Sequence, residues 1–413
     1  MIRVYILRPI ETYNKYLDNM LGEGGFAYVS KGRELARRGY RVVNLSIGQP
    51  DSPTPDNVID EAIRALKVEK FTKYTETKGI PELREAIADY LNERYGSNVN
   101  PDEVIVSPGA KGAIFLALTA YLRRGDKVIV PEPTYPAYSE IAKLMGAEPV
   151  FVSFRFNVRD GFYIDIEDIE KLIDDKTRMI IINNPHNPTG TLFDTKFLDE
   201  LVEIARRKKI LILADEIYDN FIYEGEFKSL LSYSDWRDWL LYVNGFSKVF
   251  SMTGWRMGYL IVDQRVSQAL KNLAVNIWGC PVSFAQKAAA KGLKDPETWI
   301  WVKQLVDKYR RARDVLYDGL TKIPKIEVWR SKATFYMLPR VKRILEETGL
   351  TDEEFVNYII ENYYLILLPG SAFPAETSKF YVRFSFATSI EEVEEGVRRF
   401  REAVESLLSR SKK

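Results

Sequence analysis

The sequence predicts an α/β protein in which a large domain, built on a mostly parallel seven-stranded sheet, is joined to a smaller α+β domain. Three observations lead there. The chain has 413 residues, more than one hydrophobic core holds, since cores stop growing beyond roughly 250 to 300 residues. Its middle alternates short β-rich apolar runs with amphipathic stretches of helical period. Several runs, IIIN and LILA among them, are apolar at successive positions and hence on both faces. That suits parallel strands covered by helices on each side.

The elements follow in chain order. Residues 1–55 show no strand-helix alternation and are expected to pack on the smaller domain. Within them GEGGFA, from Gly22 to Ala27, nearly fits a dinucleotide fingerprint, but it follows NKYLDNML and no strand; a glycine-rich turn is expected. Residues 56–294 form the large domain. Its strands are read at 104–106, 127–130, 149–154, 178–183, 210–214, 240–244 and 258–262. Helices are read at 81–95 before Gly96, 112–124 before Gly125, and 195–208, with both glycines suited to a left-handed helix end. Residues 295–413 change pattern: a long charged helix at 297–320, strand pieces at 326–329, 334–338 and 381–386, and two helices opened by capping boxes. Those boxes pair Thr351 with Glu354 and Ser389 with Glu392.

Composition narrows the function. Lys plus Arg number 59 against 58 Asp plus Glu, spread along the chain, so no electrostatic footprint for nucleic acid is present. One cysteine, Cys280, and one histidine, His186, make neither an internal disulfide nor a zinc site, and no metal is expected. Proton transfer is left to Lys, Asp, Glu or Tyr. No signal peptide is read in MIRVYILRPIETYNKY, and no run of about 18 apolar residues occurs, so a cytoplasmic protein without membrane contact is expected. Few His, Cys and Gln beside abundant Glu, Lys, Arg, Ile and Tyr match a thermophile's usage.

Parallel sheets bind ligands beyond the carboxyl ends of their strands, and five strand ends here carry unusual polar sets. Strand 104–106 runs into SPGAKG, a small-residue turn opening a helix and suited to phosphate. Strand 127–130 leads to PEPTYP with Tyr135; 178–183 ends in NNPHNPTG; 210–214 ends in ADEIYD with Asp215 and Tyr218; 240–244 precedes GFSKVFSMTGWRMG with Ser247, Lys248 and Arg256. A lone lysine is usually a solvated one. Lys248, beside a carboxylate, an amide, an aromatic and an anion-binding turn, describes a site for a flat, phosphorylated aromatic aldehyde.

NPTG, DEIY and SKxxxMTGWRxG, with NLSIGQPDSPTP upstream and FYVRFSFA downstream, resemble the class I and II aminotransferases of the fold-type I pyridoxal phosphate (PLP) enzymes, aspartate aminotransferase-like. The resemblance spans most of the chain. It implies that Lys248 forms the imine, that Asp215 meets the pyridine nitrogen, and that Asn187 and Tyr218 meet the ring oxygen. It places Tyr135 on the ring face and Gly109, Ala110, Lys111, Ser247 and Arg256 at the phosphate, with Tyr74 serving the phosphate of the other subunit in a homodimer. The substrate's α-carboxylate falls to Arg383, with Gly48 and Asn187; Lys248, Asp215 and Tyr218 form the catalytic set. Gly245 departs from the resemblance, standing where many relatives have serine, which withdraws one phosphate hydrogen bond. His186 is read as structural. The activity implied is ping-pong transfer of an amino group from an L-amino acid, best read as aspartate, to a 2-oxo acid such as 2-oxoglutarate. Aromatic or alanine aminotransfer, and a carbon-sulfur β-lyase, stay open as alternatives, since the side-chain pocket depends on how Phe26, Tyr28 and Ile47 are placed.

Overall fold

The computed structural model describes residues 14–22, 24–374 and 377–410. Helix α1 (Gly24–Arg37) precedes strand β1 (Val43–Asn44), and helices α2 (Asp56–Lys67) and α3 (Pro81–Tyr95) lead to β2 (Val104–Pro108). Then come α4 (Gly109–Tyr121), β3 (Lys127–Glu132), α5 (Pro136–Leu144), β4 (Glu148–Ser153), the hairpin β5 (Arg155–Asn157) and β6 (Gly161–Tyr163), and α6 (Ile166–Lys171). Strand β7 (Thr177–Asn183), α7 (Thr195–Lys208), β8 (Leu211–Asp215), β9 (Leu240–Gly245), α8 (Phe246–Val249) and β10 (Met257–Ile261) complete the main sheet. Helices α9 (Gln264–Trp278), α10 (Ser283–Lys294) and α11 (Pro296–Leu320) follow, then β11 (Tyr336–Met337), α12 (Lys342–Thr348), α13 (Asp352–Tyr363), β12 (Leu365–Ile366), β13 (Leu368–Pro369), β14 (Val382–Ser385) and α14 (Ile390–Arg410).

The main sheet has seven strands in the order β2-β10-β9-β8-β7-β3-β4. Only β10 runs antiparallel, against both β2 and β9. Strand alternation divides its residues between two cores. Ile105, Val128, Ile181, Leu213, Val243 and Leu260 face one, and Val106, Ile129, Ile180, Ile212, Tyr242 and Ile261 the other. Burial on both faces is why these strands read as continuous apolar runs.

The later part of the chain forms a three-stranded sheet, β11-β14-β13. Strand β1 pairs in parallel with β12, Val43 opposite Leu365 and Asn44 opposite Ile366, so the N-terminal segment lies against this region. Both termini of the described chain are helical. Among the described residues no helix is long and apolar enough to cross a membrane.

Several expectations are corrected. Within GEGGFA, Gly24 to Ala27 do not form a turn but open α1, where the first amides lack intrahelical acceptors in any sequence. Helix α4 starts at Gly109, three residues before the expected Gly112, and ends at Tyr121 because Leu122 turns extended into the core. Gly125 therefore caps nothing, although Gly96 does end α3 in the left-handed region. The 326–329 strand reduces to a single bridge from Glu327 to Arg340, and 334–338 and 381–386 shorten to β11 and β14 because their partners end. The Thr351 box forms both its bonds; at Ser389 the hydroxyl accepts from the Glu392 amide.

Candidate active site

The carboxyl ends of the parallel strands open into a cavity of about 570 Å3. Lys111, Tyr135, Asn187, Asp215, Tyr218, Ser247, Lys248, Arg256 and Arg383 all line it, with the backbone of Gly48 and Ala110. Tyr74 does not: it stands 94% exposed, outside this chain's cavity.

Two neighbouring strand ends form the floor. Asn183 ends β7 directly opposite Asp215, which ends β8. The Asn183 amide donates to the Asp215 carbonyl at 2.8 Å and accepts from the Asn187 amide N–H at 2.8 Å, which holds the NPTG turn against β8. The Asp215 carboxyl accepts the Tyr138 hydroxyl at 2.7 Å and the Ile217 amide at 3.2 Å. Burial pushes Asp215 up to about 6, while those two bonds and the charge of Lys248 pull it down. A cationic group opposite it would favour its charged form further.

Lys248 sits on the single turn α8 directly after β9, and its Nζ donates to the Gly48 carbonyl at 2.6 Å. Beside it lies an anion cup. Helix α4 begins where β2 ends, so its first-turn amides lack intrahelical acceptors and gather positive potential. Gly109 adopts φ +74°, a left-handed conformation that favours glycine, and a Cβ there would fall 2.4 Å from an Arg256 guanidinium nitrogen. Arg256 is held by the Thr253 carbonyl at 2.7 Å. Gly245 packs closely on the neighbouring strand. A Cβ at 245 would lie 2.9 Å from the Gly258 Cα on the paired strand β10, and a Cβ on Gly258 would lie 2.4 Å from the Ala110 amide nitrogen. This pair of glycines lets the sheet approach the helix terminus.

The opposite wall comes from the C-terminal region. Strand alternation sends Val382, Phe384 and Phe386 into the core and Arg383 into the cavity. Arg383, 6% exposed, donates to the Asn187 side-chain oxygen at 3.0 Å and to the Ser46 carbonyl at 2.6 Å. Its guanidinium carbon lies 4.3 Å from the Tyr336 ring centroid and 5.3 Å from that of Phe373. Tyr336 in turn meets Tyr218, hydroxyl to hydroxyl, at 2.9 Å.

Sequence reasoning missed Tyr138 and Tyr336. Tyr138 follows Tyr135 by three residues at the start of α5, one helical turn away, which was a usable signal. Tyr336 had none beyond strand alternation. Of the N-terminal candidates, Ile47 lines the cavity with Gly25 and Val29, Tyr28 is not among its lining residues, and the Phe26 side chain lies outside the described residues. His186 is buried away from the cavity, its Nδ1 2.9 Å from the Thr189 hydroxyl and its ring 4.6 Å from that of Phe154. Burial lowers it to about 3, so it stays neutral.

A lysine, a buried carboxylate and an anion cup at the carboxyl edge of a parallel sheet are a donor set that can hold an anionic, carbonyl-bearing molecule. The comparisons specify the family. Residues 40–400 match the model for aminotransferase class I and II, and the chain belongs to that family and is an aminotransferase. It is 42% identical over 402 residues to an aspartate aminotransferase of Sulfurisphaera tokodaii, covering 97% of this chain and all of that one. The structure of Thermus thermophilus aspartate aminotransferase with maleate superposes with a TM-score of 0.88 at 32% identity, over 94% of this chain and 99% of that one. An alanine aminotransferase from Pyrococcus furiosus superposes with a TM-score of 0.86 at 34% identity, over 95% and 99%.

Proposed function

We propose that this aminotransferase uses PLP to move the amino group of an L-amino acid, preferentially aspartate, to a 2-oxo acid such as 2-oxoglutarate, in ping-pong order. Four cationic side chains line the cavity among the described residues: Lys111, Lys248, Arg256 and Arg383. Lys248 lies on the Asp215 side, Arg256 at the α4 terminus and Arg383 on Asn187. Lys111 puts its charge on the same cavity, 5.6 Å from the Tyr135 ring centroid, where it can meet a distal carboxylate, and this observation carries the aspartate reading. The apolar Val29, Leu368 and Phe373 on the same cavity favour an uncharged side chain and support the alanine or aromatic reading as second.

The donor set fits PLP: an anion cup at the α4 terminus with Arg256 beside it, a buried carboxylate for the ring nitrogen, and Tyr135 for the ring face. When bound, PLP supplies a carbonyl that condenses with amines and a protonated ring that draws electron density from the substrate's α-carbon. In this reading the amides of Gly109, Ala110 and Lys111, the Ser247 hydroxyl and Arg256 hold the phosphate. Asp215 keeps the ring nitrogen protonated through a charge-assisted hydrogen bond worth roughly 1.5 to 3 kcal/mol. Tyr218 and Asn187 hold the ring oxygen. Lys248 would hold the cofactor's carbonyl carbon, and its Nζ amine would move the proton off the substrate's α-carbon. Arg383 and Gly48 fix the α-carboxylate, and with it the bond that is broken.

The proposal includes a homodimer acting in the cytoplasm, divided into residues 1–55, 56–294 and 295–413; the β1 to β12 pairing supports the first boundary. The exposure of Tyr74 supports its serving a partner's site. Mixing Tyr74→Phe with Lys248→Ala protomers under subunit exchange should restore activity, since one of the two shared sites then carries neither lesion; no recovery refutes sharing.

A half-reaction screen tests the substrate. Each of the twenty amino acids is added to the PLP-loaded protein and the loss of its visible absorption followed, with aspartate expected fastest. Lys111→Met should lower kcat/KM for aspartate roughly tenfold while alanine stays within about twofold. A faster alanine or aromatic half-reaction overturns the aspartate reading.

A further inference from the structure

Tyr336 belongs to β11, far along the chain from every strand end that forms the cavity floor, yet it touches three parts of the site. Its hydroxyl meets the Tyr218 hydroxyl at 2.9 Å. Its ring carries the Arg383 guanidinium, 4.3 Å from ring centroid to Cζ. It packs so closely on Gly48 that a Cβ there would fall 2.0 Å from the Tyr336 oxygen, and the Gly48 carbonyl is the acceptor of Lys248 at 2.6 Å. The residue is fully buried and lines the cavity.

We propose that Tyr336 is a positioning residue with two separable parts: its hydroxyl sets the donor strength of Tyr218, and its ring seats Arg383 for the substrate carboxylate. The inference rests on the reading of the site given above, in which Tyr218 faces the cofactor's ring oxygen.

The chemistry follows from counting protons. A phenol has one proton and two acceptor positions. When the Tyr218 proton points at a ligand oxygen, the bond between the two tyrosines has Tyr336 as donor and Tyr218 as acceptor. Hydrogen bonds in such a chain polarise one another, so a donation into Tyr218 makes it a better donor onward. Burial holds the Tyr218 phenol well above its ordinary value, so it keeps its proton for the ligand. The Arg383 contact is independent of the hydroxyl. A guanidinium on an aromatic face is held by the ring's quadrupole, which phenylalanine also has.

The test uses the PLP-loaded protein and the pH titration of its visible absorption. Tyr336→Phe removes the hydroxyl and keeps the ring. With weaker donation to the ring oxygen, its titration midpoint should rise by about half a unit, and kcat should fall severalfold while KM for the 2-oxo acid stays within twofold of wild type. Tyr336→Leu removes both parts; it should shift the midpoint equally and also weaken succinate, a non-reacting dicarboxylate, roughly tenfold. In a Tyr218→Phe background, Tyr336→Phe should move the midpoint no further, because its route is gone. An unchanged midpoint in Tyr336→Phe, or an equal further shift without the Tyr218 hydroxyl, overturns the hydroxyl's role. Succinate binding retained in Tyr336→Leu overturns the ring's role. A wild-type protein that takes up PLP without a titrating visible band is a different result, since it removes the reading of the site on which the inference stands.

Discussion

The two walls of the cavity are built in opposite ways. The wall with Asp215, Lys248 and the α4 terminus is assembled at the carboxyl ends of β8, β9 and β2, strands of one sheet. The wall with Arg383, Tyr336 and Phe373 comes from a separate small sheet and the segment after β13, and meets the first wall through contacts of long chain separation, Tyr336 to Tyr218 and Arg383 to Asn187 among them. The first wall is fixed once the sheet forms, because the register that pairs Asn183 with Asp215 also aligns the loops. The second exists only when the two sheets are docked. A cofactor held continuously suits the first; a substrate that enters and leaves suits a wall from another layer.

The largest effect expected breaks the sheet wall at its centre. Lys248→Ala should abolish amino transfer, since alanine has neither an amine to anchor the cofactor nor a base for the α-proton, while leaving the core untouched. Steady-state turnover with circular dichroism on the same sample checks both halves of that statement, and turnover retained by a folded variant would remove Lys248 from the reaction.

Across the cavity, Arg383→Lys sharpens the comparison. A planar guanidinium meets a carboxylate with two parallel bonds, which an ammonium cannot reproduce. The loss should be about 2 kcal/mol, near 30-fold in kcat/KM, and equal for every α-amino acid and 2-oxo acid. An amine lacking the carboxylate should react almost as before. If the loss depends instead on the substrate's side chain, Arg383 reads the distal group.

An effect on stability and not on chemistry lies one residue from the floor. Asp215 and Glu216 are neighbours in the chain but face opposite sides of the sheet. Glu216 is fully buried, accepting from the Ser229 hydroxyl at 2.6 Å and the Leu230 amide at 2.9 Å, and burial pushes it up to about 8. The folded chain therefore keeps a proton that the unfolded chain loses above about 4.5, and stability from this group falls as pH rises from about 4.5 to 8 and then levels. Glu216→Gln keeps both hydrogen-bond positions and cannot ionise. Its gain in stability over wild type should be near zero at pH 4.5 and reach roughly 1 to 3 kcal/mol at pH 8 and above, measured by urea denaturation. A gap independent of pH would show that Glu216 does not titrate in this window.

How much could be read in advance differs between the walls for the same reason that their construction differs. Asp215, Asn187, Ser247, Lys248 and Arg256 each lie within a few residues of a strand end, so their motifs carry the site in local sequence. Tyr138 was nearly within reach, one helical turn past Tyr135. Tyr336 was not: nothing in ATFYML says that its hydroxyl meets Tyr218, because that contact depends on how two sheets sit together and leaves no local pattern.

By itself the sequence determined the α/β class, the seven strands of the main sheet and which residues stand at their ends, because a strand buried on both faces must be apolar along its length and its polar residues must then fall at the tips. Tertiary structure alone decided the direction of β10, the helical start at Gly24, the need for glycine at 245 against Gly258, and the bridge from Tyr336 to Tyr218 and Arg383. Each of these is set by the approach of backbone or side chains far apart in the chain, and the energy of such an approach is a property of the assembled surfaces, not of either segment.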